Sequence, residues 1–185
     1  MKILLSLLLV FSSWLMTSCS SDCLCQGNGV STIAKVSKLP PNIPWYRCGK
    51  IQSGATMYYT NARISWTFDH QLGYWQAFGA KNKALNMTAA GKTFTIEKNY
   101  GWDGATKMLT TPKLLTPTLF HDALLHAMMN GAPITRDQAD GAFYQLMKKE
   151  NFTWSKMYYL AVKEFGASYL EQQNPPTLII KRTKK

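Results

Sequence analysis

The rhythm of apolar positions divides the chain in two. Between Trp45 and about Ile96 the apolar residues are aromatic and β-branched and come in short runs. "MYYTNARISWTF" (57–68), "YWQAF" (74–78) and "KTFTIE" (92–97) predict strands, because such side chains suit a pleated, half-buried surface. "DHQLG" (69–73) and "AAGK" (89–92) supply turns. Past residue 115 the period lengthens to that of a helix. Thr116-Pro117 predicts a helix start, with Thr as the cap and Pro at the first helical position, and Asn130-Gly131 predicts its stop after Met129. Thr135 and Gln138 have the spacing of a capping box, and Ala139, Phe143, Leu146 and Met147 form the apolar stripe of a second helix. A third helix is expected from about Phe152 to Phe165, burying Trp154, Tyr158, Ala161, Val162 and Phe165 and ending at Gly166. "NPPTLIIKRTKK" closes the chain with a short strand and a basic tail. The pattern predicts an α+β fold: a small antiparallel β region followed by a C-terminal bundle of three helices.

The start of the chain breaks this pattern. One charge, Lys2, precedes an apolar stretch from Ile3 to Phe11 that is too short to span a bilayer as a helix. "LMTSC" then places small residues before Cys19, in the order of a bacterial lipobox with Met16 where Leu is usual. Residues 1–18 are therefore expected to be a signal peptide and Cys19 a lipidated first residue, anchoring the protein to the bacterial envelope. Ser20 in place of Asp implies outer-membrane sorting by the rule of enteric bacteria. Residues 19–44, small, polar and proline-punctuated, read as a tether. One domain is expected over 45–185, β-rich over 45–98 and helical over 99–185.

Composition adds a basic balance. The formal net charge is +11, of which the leader contributes only Lys2. Beside a membrane such a surface favours anionic headgroups. No nucleic-acid recognition motif is present, and export argues against that partner. Of the four cysteines, Cys23 or Cys25 is free to bridge to Cys48 in an oxidising compartment, and the isolated CxC spacing is not a metal pattern.

The candidate chemistry lies in the helices. His121 shares a helix face with Pro117, Leu125 and Met128, so it points toward apolar surroundings, and Asp122 flanks that face. An ionised carboxylate there is costly unless it is paired or binds a cation. Two later acids are candidate partners for His121. Asp137 lies in the first turn of the second helix, where the helix dipole already accounts for it. Asp140 lies beyond that turn and borders the apolar stripe, so it is the better partner, its alternative being an i, i+4 pair with Arg136. In an antiparallel hairpin His121 lies about 12 Å below the end of its helix and Asp140 about 7 Å into the next, a gap the intervening loop can absorb. Upstream, "NYGWDGAT" (99–106) reads as a glycine-bearing turn whose carbonyls and Asp103 offer oxygen to a hard cation. Asp122 and His126, one helical turn apart, are also a fragment of a transition-metal site, and His70 a distant partner for phosphohydrolase chemistry. Both lack the remaining ligands.

Taken together, the Tyr-Gly…Gly turn, the His-Asp helix and "ADGAF" on the next helix resemble phospholipase A2, in the cysteine-poor forms of parvovirus capsids and some microbial secreted enzymes. "FTIEKNYGWDGATK", "LFHDALLHAM", "ITRDQADGAFYQLMKK" and "MYYLAVKEFG" also resemble a family of uncharacterised bacteriophage and prophage proteins. The resemblance covers residues 94–166. It implies that His121 is a general base, that Asp140 holds its other ring nitrogen, and that Asp122 with carbonyls of Tyr100, Trp102 and Gly104 binds Ca²⁺, with Asp103 and Asp137 accessory. The substrate so implied is membrane phospholipid. The chain departs from the enzyme pattern at Leu124-Leu125-His126, where a Tyr is usual, and in lacking cysteines that bracket the helix. The rival expectation is a non-enzymatic envelope lipoprotein, for example one excluding superinfecting phage, with the His/Asp network structural.

Overall fold

A computed structural model of the protein describes residues 35–36, 44–50, 56–105, 110–170 and 176–184. The signal peptide, Cys19, Cys23 and Cys25 lie outside the described residues. The strands are β1 (Lys35–Val36), β2 (Tyr46–Lys50), β3 (Thr56–Thr60), β4 (Ile64–Thr67), β5 (Tyr74–Gly79), β6 (Leu85–Ala90), β7 (Thr93–Ile96) and β8 (Gly101–Trp102). Three helices follow, α1 (Pro112–Met129), α2 (Arg136–Lys149) and α3 (Ser155–Leu170), and then β9 (Leu178–Arg182). The fold is α+β, with antiparallel sheets followed by three helices. Six strands form one sheet in the order β1-β4-β7-β6-β5-β9, and β2-β3-β8 form a second.

Four features differ from the sequence pattern. Lys35 and Val36, inside the segment read as a tether, pair with Ser65 and Ile64 at the sheet edge. The run 57–68 splits into β3 and β4. β6, with its Asn and two Ala, has little intrinsic strand preference and is held by ladders to β5 and β7 on either side. The last strand, β9, returns after the helices to pair with β5 from Gly79↔Leu178 to Trp75↔Arg182. Asn130 at the end of α1 ties that strand down, donating to the Pro176 carbonyl and accepting from the Leu178 N–H.

The helices also shift. α1 begins at Pro112, with Thr111 as its cap, so Pro117 lies inside the helix rather than at its start. The proline has no N–H to give the carbonyl of Lys113, four residues earlier, so the helix lacks one backbone hydrogen bond there. The earlier start buries Leu114 and Leu115. α2 has its capping box, Thr135 accepting from Gln138 N–H and Gln138 from Thr135 N–H, and Ala139, Phe143, Leu146 and Met147 are all buried. α3 runs on through Gly166 and buries Tyr158, while Trp154 and Phe165, expected inside, are each a little over half exposed.

One core joins sheet and helices. Ile64, Trp75, Met87, Phe94 and Ile96 from the large sheet meet Leu119, Phe120 and Leu124 of α1. Phe120 stands edge-on to Phe68 at 5.8 Å and to Phe94 at 6.1 Å, ring centre to ring centre. The small sheet carries its own aromatic layer, Trp45 stacking on Trp102 at 5.9 Å. Thr60, fully buried, stitches the following segment to β3: its N–H donates to the Tyr100 carbonyl, its hydroxyl accepts from the Tyr100 N–H, and its carbonyl accepts from Asn99. That fixes where Tyr100 stands. Cys48 is disulfide-bonded, its partner lying outside the described residues.

Because Phe120 is the contact through which α1 is seated on the sheet, Phe120→Ala is expected to cost about 3–5 kcal/mol. Urea unfolding checks this, and a loss below about 1 kcal/mol would mean the helix is seated elsewhere.

Candidate functional site

Successive helix residues are turned by about 100°, so Phe120, His121 and Asp122 face three different neighbours. Phe120 enters the sheet. His121 turns toward α2, its ring tilted against Phe143 at 4.9 Å. Asp122 turns toward the segment that carries Tyr100 and Asp103.

His121 Nε2 lies 2.9 Å from Asp140 Oδ1, and both residues are buried, at 8% and 1% exposure. An ionised carboxylate only accepts, so Nε2 carries the proton of this bond. The other carboxylate oxygen, Oδ2, faces Arg136 Nε at 3.4 Å. Arg136 in turn donates through Nη2 to the backbone carbonyls of Val162 and Lys163 in α3. Asp137 is elsewhere: it is exposed and pairs with Lys163 at 3.1 Å. Of the two acids the sequence offered, Asp140 is the one that reaches His121.

The second ring nitrogen is differently placed. His121 Nδ1 lies 3.8 Å from Asp122 Oδ1, too far for a hydrogen bond. The His121 side chain keeps 11% of its surface exposed, whereas His70 Nε2 is buried without a partner. His70 itself stacks on Phe68.

Asp122 is within hydrogen-bonding contact of Asp103, and its carboxyl is held well above its ordinary 3.8, first by burial and then by the Asp103 charge and hydrogen bond. Two carboxyls facing each other at one spot favour either a shared proton or a cation. Beside them Tyr100 Oη lies 2.6 Å from His126 Nδ1. Burial, with the nearby charges of Asp122 and Asp103, raises the Tyr100 phenol well above 10.0, so it stays protonated and donates to Nδ1. His126 is lowered to about 4, chiefly by burial and further by His121, with Asp103 opposing. It is therefore neutral near pH 7, with its proton on Nε2.

The expected metal ligands fare unevenly. Tyr100 has its carbonyl committed to the Thr60 N–H and its phenol to His126. Trp102 is in register with Tyr58 in a short strand, rather than in an irregular turn. The reason is local: Gly101 has no side chain, and a Cβ there would sit 2.9 Å from the Tyr59 ring, so the segment can lie flat against β3. Gly104 turns the chain at φ +79, where a Cβ would meet Thr110 and Tyr58 at 3.0 Å. Asp103, an accessory candidate from sequence, is the residue that meets Asp122. Among the described residues no group of three or more His, Cys, Asp or Glu side chains is placed to hold a metal ion. The two carboxylates supply oxygen donors of the kind a hard cation such as Ca²⁺ takes, with the imidazoles of His121 and His126 beside them.

Sequence reasoning missed two partnerships. His126 lies four residues after Asp122, hence on the same helix face, and that spacing was a usable signal; its pairing with Tyr100 has no sequence signature. Arg136 was legible as an i, i+4 partner of Asp140, though not its grip on α3. No family model matches this chain, and neither does any curated protein or solved structure with which it was compared.

The Asp122 carboxyl gives a pH dependence of definite sign. A carboxyl whose folded value is raised binds its proton more tightly in the folded state. Its contribution to stability is full below the ordinary 3.8 and is lost as pH rises from there to the raised value. Asp122→Asn is therefore expected to gain stability relative to the parent as pH rises from about 4 to 8, followed by urea unfolding. Parallel pH profiles for the two proteins would show that the carboxyl is not strained.

Proposed function

We propose that the protein is a membrane-anchored lipoprotein of phage or prophage type that hydrolyses phospholipid esters, with His121 as general base. What carries this reading is the asymmetry of the His121 ring: Nε2–H is fixed by buried Asp140, while Nδ1 lies 3.8 Å from Asp122, outside hydrogen-bond reach of it, on a side chain that keeps 11% of its surface exposed. An imidazole so held accepts a proton from a water molecule at Nδ1, and the hydroxide so generated attacks the ester carbonyl. Asp140 fixes the tautomer and stabilises the imidazolium that forms, while Arg136 faces its other carboxylate oxygen. The proton then passes from Nδ1 to the departing alkoxide, giving a fatty acid and a lysolipid.

The Asp103 and Asp122 carboxylates, with the Gly104 region as the source of further oxygens, would hold Ca²⁺. When bound, the cation supplies charge stabilisation of the oxyanion. It also relieves the repulsion between the two carboxylates. The disulfide at Cys48 and the lipobox at Cys19 support an exported, envelope-anchored location.

A second reading rests on one observation, the 8% exposure of His121. A histidine this enclosed, clamped to a buried acid, also suits a structural network in a non-enzymatic envelope lipoprotein.

Fatty-acid release from phospholipid vesicles separates the two. Release is expected to need Ca²⁺, to fall about 100- to 10,000-fold in His121→Ala, and to fall comparably in Asp140→Asn if that variant keeps its circular dichroism. Asp122→Asn is expected to lose the calcium response. No release by the folded parent protein from either anionic or zwitterionic vesicles would leave the structural reading.

A further inference from the structure

α3 carries an apolar stripe that is turned outward. Trp154, just before the helix, and Met157, Leu160 and Phe165 within it are each a little over half exposed. At about 100° per residue they fall within an arc of about 140°, beside the arc that buries Tyr158 and packs Val162. The stripe is about 16 Å long. Lys156 and Lys163, both exposed, line one flank, and Lys148 and Lys149 are exposed at the end of the preceding helix. Glu164 is the acidic exception within the stripe, and the Asp137 charge is answered by Lys163.

We infer that this face of α3 lies on an anionic phospholipid surface. Three observations favour lipid as the occupant. A helix with Trp, Leu and Phe on one face and lysines beside them is the pattern of an interfacial helix, which sinks its apolar side chains about 5–10 Å into the headgroup boundary. The net charge of +11 complements anionic headgroups over the whole chain, not only at the stripe. Four half-exposed side chains offer roughly 400 Å², about half of the 800 Å² or so per partner that a stable protein interface buries. A second copy of the chain is therefore a poor match, whereas a bilayer needs no such area from one helix.

The inference rests on the proposed membrane location and deepens it by naming the docking face. Arg136, which clamps Asp140, is bound to the α3 carbonyls of Val162 and Lys163, so the docking helix and the His121 site are one connected unit.

The test uses the full-length chain carrying Cys19→Ala, to remove acylation, and vesicles of ether-linked phosphatidylglycerol and phosphatidylcholine. These lipids have no ester to cleave, so docking is measured apart from hydrolysis. The readout is local: the emission of Trp154, taken as the difference between this protein and the same protein with Trp154→Phe. A blue shift with phosphatidylglycerol vesicles, quenched by brominated acyl chains and weakened by salt, is expected. Met157→Glu with Leu160→Glu is expected to remove the shift and lower the vesicle affinity at least tenfold, with the circular dichroism unchanged. Binding of the chain to vesicles without any change at Trp154 would overturn the proposal. So would a blue shift that depends on protein concentration and not on lipid, which would assign the face to a second copy. A Trp154 emission already blue-shifted without vesicles would assign the face to another segment of the chain, and lipid docking would be excluded.

Discussion

The carboxylate of Asp140 is 1% exposed, and an acid removed so far from water costs several kcal/mol unless other groups answer its charge. Two do. Arg136, one turn earlier on α2, faces Oδ2, and His121 of α1 donates to Oδ1. A guanidinium is always charged, so it neutralises the acid without help from a proton on the imidazole. Arg136 must itself be held, and it is held by the carbonyls of α3. The space for it comes from Gly166, where a Cβ would lie 2.5 Å from Arg136 Nη2. One buried acid thus ties α2 to α1 and, through Arg136, to α3.

The other side of His121 is set by the sheets. Phe120 seats α1 on the large sheet, and Thr60 fixes Tyr100 against the small one. Asp103, three residues past Tyr100, is brought to Asp122 as a result. Packing alone gives no reason to set two carboxyls against each other, since their repulsion and the burial of Asp122 both work against folding at neutral pH. A cation would turn that cost into binding energy, and this is the physical support for a calcium role. The neighbouring pair of Tyr100 and His126 stays uncharged near pH 7, so it adds nothing to the negative charge there.

Much of this arrangement was legible from local rules. The start and the buried face of α2 were readable, because a capping box and a four-residue apolar stripe are both short-range signals. Asp140 stood out because it lay beyond the turn in which the helix dipole explains an acid. The start of α1 was misread because Thr-Pro occurs twice, at 111–112 and 116–117, with equal local merit. Only the burial of Leu114 and Leu115 decides between them. β6 was unreadable since its strand character is imposed by neighbours on both sides. The face of α3 was misassigned for a different reason. Periodicity finds a stripe of large apolar residues, but cannot tell a stripe packed on its own core from one turned outward.

That last error points to how site and surface belong together. Among the described side chains of α3, Tyr158 with the edges of Val162 and Tyr159 face inward, and Met157, Leu160 and Phe165 are a little over half exposed. Polar ties add to this packing, among them the Arg136 grip on the backbone carbonyls of Val162 and Lys163. The tie acts in both directions. Whatever orders the outer face of α3 steadies the carbonyls that hold Arg136, then the carboxylate that Arg136 faces, and then the tilt of the His121 ring. A hydrolase acting at a lipid surface needs its base aligned only when that surface is present, and this chain of contacts is a physical route by which the surface would set the alignment.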